Sequence, residues 1–212
     1  YTSTDSAAKQ LATGHSGALG FLFSEDLPYA FSDPAVLAVL NGVAKSCDEM
    51  ETDLALISAG SSLRNMNTPV SLGNAAVDGY ILYSVAPDSR CVLMAQQRNV
   101  PLVVVDQPRL DNVPYVGIDD RGAAYNAAKT LLELGHRRFG ILSLKTAHDD
   151  YFGILTAKRR ANIAHSTIAM RREGYLTALQ EAGIAPENVP AWEIPINSEE
   201  SGAEGARFLL NR

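Results

Sequence analysis

The stretch that most constrains the fold runs from Val113 to Leu142. An apolar, strand-like run from Tyr115 to Ile118 is followed by two acids, Asp119 and Asp120, and then by a segment whose alanines and leucines recur at helical spacing. A second strand-like run covers Phe139 to Leu142. Two parallel strands require a crossover connection of this kind. The stretch therefore predicts a βαβ unit.

The same order of strand, loop and helix recurs along the chain. The other predicted strands are Gly17 to Phe23, Leu54 to Ile57, Asp78 to Tyr83, Pro101 to Val105 and Ala191 to Ile196. The other predicted helices are one that begins at Asp33-Pro34, and Ser89 to Arg98, Ile168 to Ala182 and Glu199 to Leu210. The near-continuous apolar run at residues 101–105 is typical of a parallel strand covered on both faces. The fold class is therefore α/β, with doubly wound parallel sheets.

Charge and composition exclude several classes of protein. The net charge of −6 argues against a nucleic-acid-binding body, because such domains usually carry a basic face. No apolar run reaches the length of a membrane span, and the first residues lack a signal-peptide core, so we expect a cytoplasmic protein with no membrane partner. Cys47 and Cys91 are expected to be buried free thiols, and no metal-ligand spacing occurs.

One segment, Lys145 to Ser166, has no clear period. We interpret it as a mobile excursion with a short helix starting at Thr156. Its basic centre, Lys158-Arg159-Arg160, is interpreted as a solvated charge cluster in preference to a nucleic-acid patch.

Ligands of open parallel sheets gather at the carboxyl ends of the strands. Those ends are expected at Ser24 to Phe31, Ser58 to Ser61, Ser84, Asp106-Gln107 and Asp119. Carboxylates that accept from hydroxyls and aromatic rings that stack on a sugar face fit a neutral polyhydroxyl ligand. No phosphate-binding glycine loop, nucleophile with a base, or paired catalytic carboxylates occurs, so we expect neither a cofactor nor an enzyme.

Six stretches in this order resemble the LacI/GalR family of transcription regulators. They are Ala7 to Gly14 (AAKQLATG), Asp33 to Ala44, Val77 to Leu82 (VDGYIL), Val103 to Asp106, Asp119 to Gly140 with ELGHRRFG, and Arg171 to Leu179 (RREGYLTAL). The first resembles the hinge helix of the family, and the last resembles its R-x-x-G-aromatic helix.

The resemblance implies a two-lobed, periplasmic-binding-protein-like effector domain. Residues 1–14 would be a hinge helix linked to a DNA-binding domain outside this chain, residues 18–138 the first lobe, and residues 139–212 a partial second lobe. The implied protein is a homodimeric, ligand-responsive repressor with a sugar-like effector between its lobes. Operator DNA would be bound through a helix-turn-helix that precedes Tyr1 and through the hinge helix.

The resemblance also implies individual site residues. Arg171, three residues before Gly174, matches the arginine that clamps the ligand, and its alternative is a surface arginine; its neighbour Arg172 is given the surface role. Ser58, Ser84, Asp106 and Asp119 match loop ends, where the alternative is a cap or turn residue. Thr167 lies near the expected second-lobe contacts, and Asn197 is a candidate at a position where the family often has an aromatic residue. His136 is interpreted as structural.

The aromatic part of the implied site departs from the family. Ala35 stands where paired aromatics are common, and Tyr29 and Phe31 lie just upstream as substitutes. On the hinge stretch, Leu11 matches the apolar wedge that enters the minor groove, with Ala8 on the same segment.

Two other classes remain as alternatives. A periplasmic sugar-binding protein of a transport system would share the fold, but the LATG hinge argues against it. An enzyme on a doubly wound sheet would need catalytic groups that the sequence does not provide.

Overall fold

The computed structural model describes residues 14–59, 75–147 and 149–211. The chain divides into two compact units between Val116 and Gly117. Leu11 and Ala8, the residues predicted to contact DNA, lie outside the described residues. No helix in the described ranges is long and apolar enough to cross a membrane.

The first unit is built on a five-stranded parallel sheet with the order β2-β1-β3-β4-β5. Its strands are β1 (Ala18–Phe23), β2 (Asp53–Ser58), β3 (Gly79–Tyr83), β4 (Leu102–Val105) and β5 (Tyr115–Val116). A short 3-10 helix, Leu27–Phe31, precedes helix α1 (Pro34–Glu49), and α2 (Arg90–Gln97) follows β3. The predicted α/β class and parallel sheet are confirmed.

Helices cover both faces of this sheet. Successive side chains of β1 point to opposite sides, so they pack against different helices. Phe21 and Phe23 pack with residues of α1, including Val36. Leu22, between them, packs with residues of α2, including Cys91. The central strand is consequently buried on both faces, which is the doubly wound arrangement expected from its apolar sequence.

The helices of the first unit begin where the sequence predicts. Asp33 caps α1 by accepting hydrogen bonds from the Ala35 and Val36 N–H groups at 2.8 and 2.9 Å. Ser89 caps α2 in the same way through the Cys91 N–H at 3.3 Å. Cys47 and Cys91 are buried free thiols, as predicted, and burial raises the pKa of each.

The second unit carries a three-stranded sheet with the order β6-β8-β7. Its elements are α3 (Asp120–Glu133), β6 (Ile141–Leu144), β7 (Gly153–Ile154), α4 (Ala157–Ala161), α5 (Ser166–Glu181), a 3-10 turn (Pro186–Asn188), β8 (Ala191–Ile194) and α6 (Glu199–Leu210). Strands β6 and β8 are parallel, whereas β7 pairs with β8 in the antiparallel sense.

Two interpretations of the stretch Val113 to Leu142 are corrected. It is not a βαβ unit, because β5 and β6 belong to different sheets. Helix α3 also belongs to the second unit, so residues 117–138 do not group with the first lobe as the predicted boundary of 18–138 required. The physical reason is that α3 packs along α5 at Gly174, where a Cβ would collide with the carbonyl oxygen of Arg121.

The segment Lys145 to Ser166 contains more secondary structure than predicted. It supplies β7, which covers one edge of the sheet, and α4, which Thr156 caps through the Arg159 N–H at 3.4 Å. The predicted helix start at Thr156 is therefore confirmed. The strand pairing of Gly153 and Ile154 with β8 was not predicted.

Candidate functional site

The first cluster of functional interest joins the start of α3 to α5. Asp120 is 2% exposed, and its Oδ1 accepts a hydrogen bond from the Arg171 Nε at 2.6 Å. Its other oxygen, Oδ2, is buried and has no hydrogen-bond partner within the described chain. The Arg171 side chain is 41% exposed and makes no other hydrogen bond to the residues that the structure describes.

The location of this pair explains how a buried carboxylate is tolerated. Asp120 is the first residue of α3, where the partial positive charge of the helix terminus favours an anion. The close packing at Gly174, one turn after Arg171, brings α5 near enough for the guanidinium to reach the acid. The result is a buried acceptor oxygen without a donor among the described residues, beside the planar N–H donors of a partly exposed guanidinium. A hydroxyl, which donates and accepts at once, can satisfy both.

Asp120 was not among the predicted site residues, whereas its neighbour Asp119 was. The structure gives Asp119 the capping role: it is exposed, and its Oδ1 accepts from the Gly122 N–H at 2.9 Å. A signal for Asp120 existed in the acid pair at a helix start. Sequence could not tell which acid would be buried, because that depends on the side of α3 that faces α5.

Three predicted loop-end residues of the first unit lie at the carboxyl ends of strands in the same sheet. Ser84 follows β3 and Asp106 follows β4, and both adopt left-handed backbone angles, with φ of 47° and 74°. The Ser24 hydroxyl donates to the Ser84 carbonyl at 3.3 Å, and the Tyr115 hydroxyl donates to the Asp106 carbonyl at 2.8 Å. Ser58, at the end of β2, donates to the Glu25 carbonyl at 2.6 Å. The sheet thus collects these residues at its carboxyl edge.

The aromatic substitutes differ in what they can do. The Tyr29 hydroxyl donates to Asp33 Oδ2 at 2.7 Å, and burial together with this carboxylate raises the Tyr29 pKa. That hydroxyl is therefore engaged in holding the cap of α1. Phe31 is 62% exposed, so its ring is available for stacking, and Ala35 lies exposed on the first turn of α1.

The remaining predicted contacts belong to the second unit. Thr167 is 4% exposed and lies one turn before Arg171 on α5, so both occupy the same side of that helix. Asn197 is exposed in the turn between β8 and α6. His136 is exposed, and its backbone N–H donates to the Leu131 carbonyl at 3.0 Å in the turn that ends α3.

The sequence profile described as "Periplasmic binding proteins and sugar binding domain of LacI family" matches residues 16–210. This chain belongs to the LacI family. The match covers both compact units, so it includes the strand ends of the first and the helix pair of the second.

Individual relatives of this LacI-family chain are named as transcription regulators. The HTH-type transcriptional regulator IpsA of Corynebacterium glutamicum is 36% identical over 211 residues, which are 99% of this chain and 59% of that protein. An HTH-type transcriptional regulator of Mycobacterium tuberculosis gives the same identity and coverage. The chain therefore spans about three-fifths of the length of these relatives.

Solved structures agree with this assignment. A LacI-family transcriptional regulator from Corynebacterium glutamicum superposes with a TM-score of 0.82 at 36% identity, over 92% of this chain and 58% of that one. The structure of the regulator CelR in complex with cellobiose gives a TM-score of 0.71 at 23% identity, over 97% of this chain and 60% of that one. The second likeness shows the shared fold.

A second charged cluster in this LacI-family chain lies on β8. Glu193 is fully buried and accepts from Arg159 Nε and Nη2, each at 2.7 Å, and from the Thr146 N–H at 2.7 Å. Arg159 also contacts both oxygens of Asp149, at 2.9 and 2.8 Å, and stacks over the Tyr151 ring at 4.1 Å. The interpretation of Arg159 as a solvated charge is wrong: its side chain is 18% exposed.

The hydrogen bonds that Arg159 donates to Glu193 and Asp149 raise the pKa of its guanidinium, and the same guanidinium lowers the pKa of Asp149. The prediction that Arg172 lies on the surface is also incorrect. Its Nε is buried without a partner among the described residues, and burial lowers the pKa of the guanidinium. Within the described residues, no group of three or more metal-ligand side chains occurs.

Proposed function

We propose that this chain is the effector-binding and dimerisation domain of a ligand-responsive transcription regulator of the repressor type. The observation that carries the proposal is the Arg171–Asp120 pair on α5 and α3, in which the guanidinium is partly exposed and one carboxylate oxygen has no partner among the described residues. Family membership supplies the regulatory context, since the named relatives are HTH-type transcriptional regulators.

The proposed effector is a sugar or a similar polar metabolite. An exposed guanidinium beside a carboxylate suits vicinal hydroxyls, which can accept from one group and donate to the other. In the first unit, the polar strand ends Ser84 and Asp106 and the exposed ring of Phe31 are further proposed contacts. Thr167 and Asn197 complete the proposed second-unit contacts. The complex of CelR with cellobiose is consistent with a carbohydrate ligand on this fold.

The proposed mechanism is linkage between effector and operator. Two conformations would differ in effector affinity and in the placement of paired hinge segments in a cytoplasmic homodimer. Effector binding then changes operator affinity by its differential affinity for the two conformations. Leu11, with Ala8, would lie in the minor groove, where an apolar wedge offsets part of the lost base stacking.

Other classes of protein are less well supported. A transport protein would share the fold, but the relatives described above are named as transcriptional regulators. An enzyme is not favoured, because the relatives are regulators and the arginine–carboxylate pair lacks a nucleophile.

A thermal-shift screen of the intact protein against sugars, sugar acids and nucleobases tests the effector site. A ligand at about one hundred times its Kd stabilises the folded state by about 2.7 kcal/mol, which shifts the melting temperature clearly. Arg171→Ala should abolish the shift produced by the best ligand. Arg207→Ala, an exposed arginine on α6 of the same unit, should leave it intact.

Retention of the full shift in Arg171→Ala would show that the ligand binds elsewhere. A separate gel-shift titration with Leu11→Ala tests the DNA contact. The change should weaken operator binding, and unchanged affinity would count against the wedge role.

A further inference from the structure

The residues that follow the hinge-like stretch, Ala7 to Gly14, are held by one carboxylate of the first unit. Asp78 stands directly before β3, and its Oδ1 accepts from the Ser16 N–H at 2.7 Å and from the Ser16 hydroxyl at 2.9 Å. Its Oδ2 accepts from the Gly17 N–H at 2.8 Å. These hydrogen bonds, led by the one from the Ser16 backbone, lower the pKa of Asp78. The carboxylate is therefore charged at neutral pH.

The backbone around this carboxylate is fixed as well. The Asp78 N–H donates to the Ala18 carbonyl at 2.8 Å, and the Asp53 N–H donates to the Gly17 carbonyl at 2.8 Å. Strand β1 lies between β2 and β3, so its first residues are anchored on both sides. Gly17 has a φ of +73°, a left-handed angle at which glycine carries no steric penalty. The chain therefore enters the sheet with one defined direction.

We infer that Asp78 is a positioning residue that fixes where the DNA-facing linker leaves the first unit, and that operator affinity depends on it. The inference rests on the proposed function. Charge-assisted bonds from two successive backbone N–H groups are stronger and shorter than neutral ones, so they restrict the linker more than ordinary turn contacts do. A linker released from Asp78 would sample more orientations, and operator binding would have to remove that freedom.

The experiment compares intact protein, including its DNA-binding part, with its Asp78→Asn variant. The probe is a DNA duplex enriched from a random-sequence pool by the unchanged protein, and the readout is fluorescence anisotropy. Asparagine keeps the shape but loses the charge and one acceptor oxygen, so the variant should bind the enriched duplex about tenfold more weakly, as for one lost charge-assisted hydrogen bond. Binding to unselected duplex, which depends on phosphate contacts, should change less than about twofold.

Two controls separate positioning from simple loss of stability. Asp111→Asn removes an exposed acid of the same unit that makes no hydrogen bond within the described chain. Val104→Ala destabilises the buried core of the sheet without touching the linker. Both should retain the affinity of the unchanged protein for the enriched duplex. An equal loss of affinity in Val104→Ala would overturn the inference, because the effect would then follow stability alone.

Hydrogen exchange gives a direct readout of the clamp. The Ser16 and Gly17 amides should exchange faster in Asp78→Asn than in the unchanged protein, with core amides of β3 unaffected. Faster exchange at these amides with unchanged operator affinity would overturn the positioning role. If the unchanged protein enriches no duplex at all, the proposed function itself fails, which is distinct from a variant that binds as well as the parent.

Discussion

Two arginine–carboxylate pairs in the second unit have the same chemistry, but they differ in how many of their carboxylate oxygens have hydrogen-bond partners. Glu193 and Asp120 are both buried acids. Glu193 accepts hydrogen bonds from Arg159, and Asp120 accepts one from Arg171. Every oxygen of Glu193 is bonded, and Arg159 is held by a second acid and an aromatic ring. Among the described residues, the Asp120 side chain has one hydrogen-bond partner, Arg171, which is 41% exposed, and the other carboxylate oxygen of Asp120 has none.

This difference in hydrogen-bond partners separates a pair that serves the structure from a pair that is suited to a ligand. A buried network with every member bonded rigidifies the structure around it. A buried acceptor without a donor costs free energy, and a ligand that supplies the donor recovers that cost. The Glu193 pair therefore fastens the segment that contains β7 and α4, whereas the Asp120 pair is suited to a ligand.

The largest expected effect is at the complete pair. Arg159→Ala leaves Glu193 buried without its cation and should lower the free energy of unfolding by about 3–5 kcal/mol. Urea denaturation followed by circular dichroism measures the change. Lys158→Ala, at the adjacent exposed position, should alter stability by less than about 0.5 kcal/mol. Equal effects for the two variants would remove the distinction between the pairs.

The helix contact that supports the incomplete pair should be the next most sensitive. Gly174→Ala places a Cβ against the Arg121 carbonyl and within 2.9 Å of the Tyr125 nitrogen, so α5 must move from α3. The expected cost is about 2 kcal/mol, together with weaker effector binding. Gly202→Ala is the matched control, because its Cβ meets nothing within 4 Å and alanine favours helix. It should leave stability unchanged or raise it.

Removal of the partly exposed Arg171 should lower the stability of the protein by a smaller amount. Arg171→Ala should lower the free energy of unfolding by about 1 kcal/mol, since solvent screens a half-exposed guanidinium. The same unfolding titrations provide the value. A loss as large as that of Arg159→Ala would show that Asp120 and Arg171 form a structural pair.

The smallest effect concerns acid pH. Because the Arg159 guanidinium lowers the pKa of Asp149 in the folded state, Asp149 contributes stability above its unfolded pKa of about 3.9. That contribution is lost as the pH falls from about 4 through the lower folded value. Asp149 is 49% exposed, so Asp149→Asn should remove only a few tenths of a kcal/mol to about 1 kcal/mol at neutral pH.

Unfolding titrations between pH 3 and 7 compare this variant with Asp150→Asn, an exposed neighbour. Asp149→Asn should flatten the acid dependence, and Asp150→Asn should follow the parent protein. A parent protein whose stability is constant through the acid range would contradict the linkage.

Much of the candidate site followed from sequence. The family pattern predicted Arg171, and the strand ends predicted Ser84 and Asp106, as candidate residues, because loops after parallel strands share one edge of the sheet. Asp120 was missed in favour of Asp119. Both acids stand at a helix start, and only the packing of α3 on α5 decides that one is exposed and the other buried.

The sequence by itself determined the α/β class, the order of the elements and most helix starts. These depend on side-chain periodicity and on caps such as Asp33 and Ser89, which act over a few residues. Tertiary structure decided to which unit α3 belongs, which arginine is buried, and which buried acid keeps an oxygen without a hydrogen-bond donor among the described residues. Those outcomes depend on contacts between residues far apart in the chain, such as Gly174 with Arg121 and Arg159 with Glu193, and local patterns do not encode such distances.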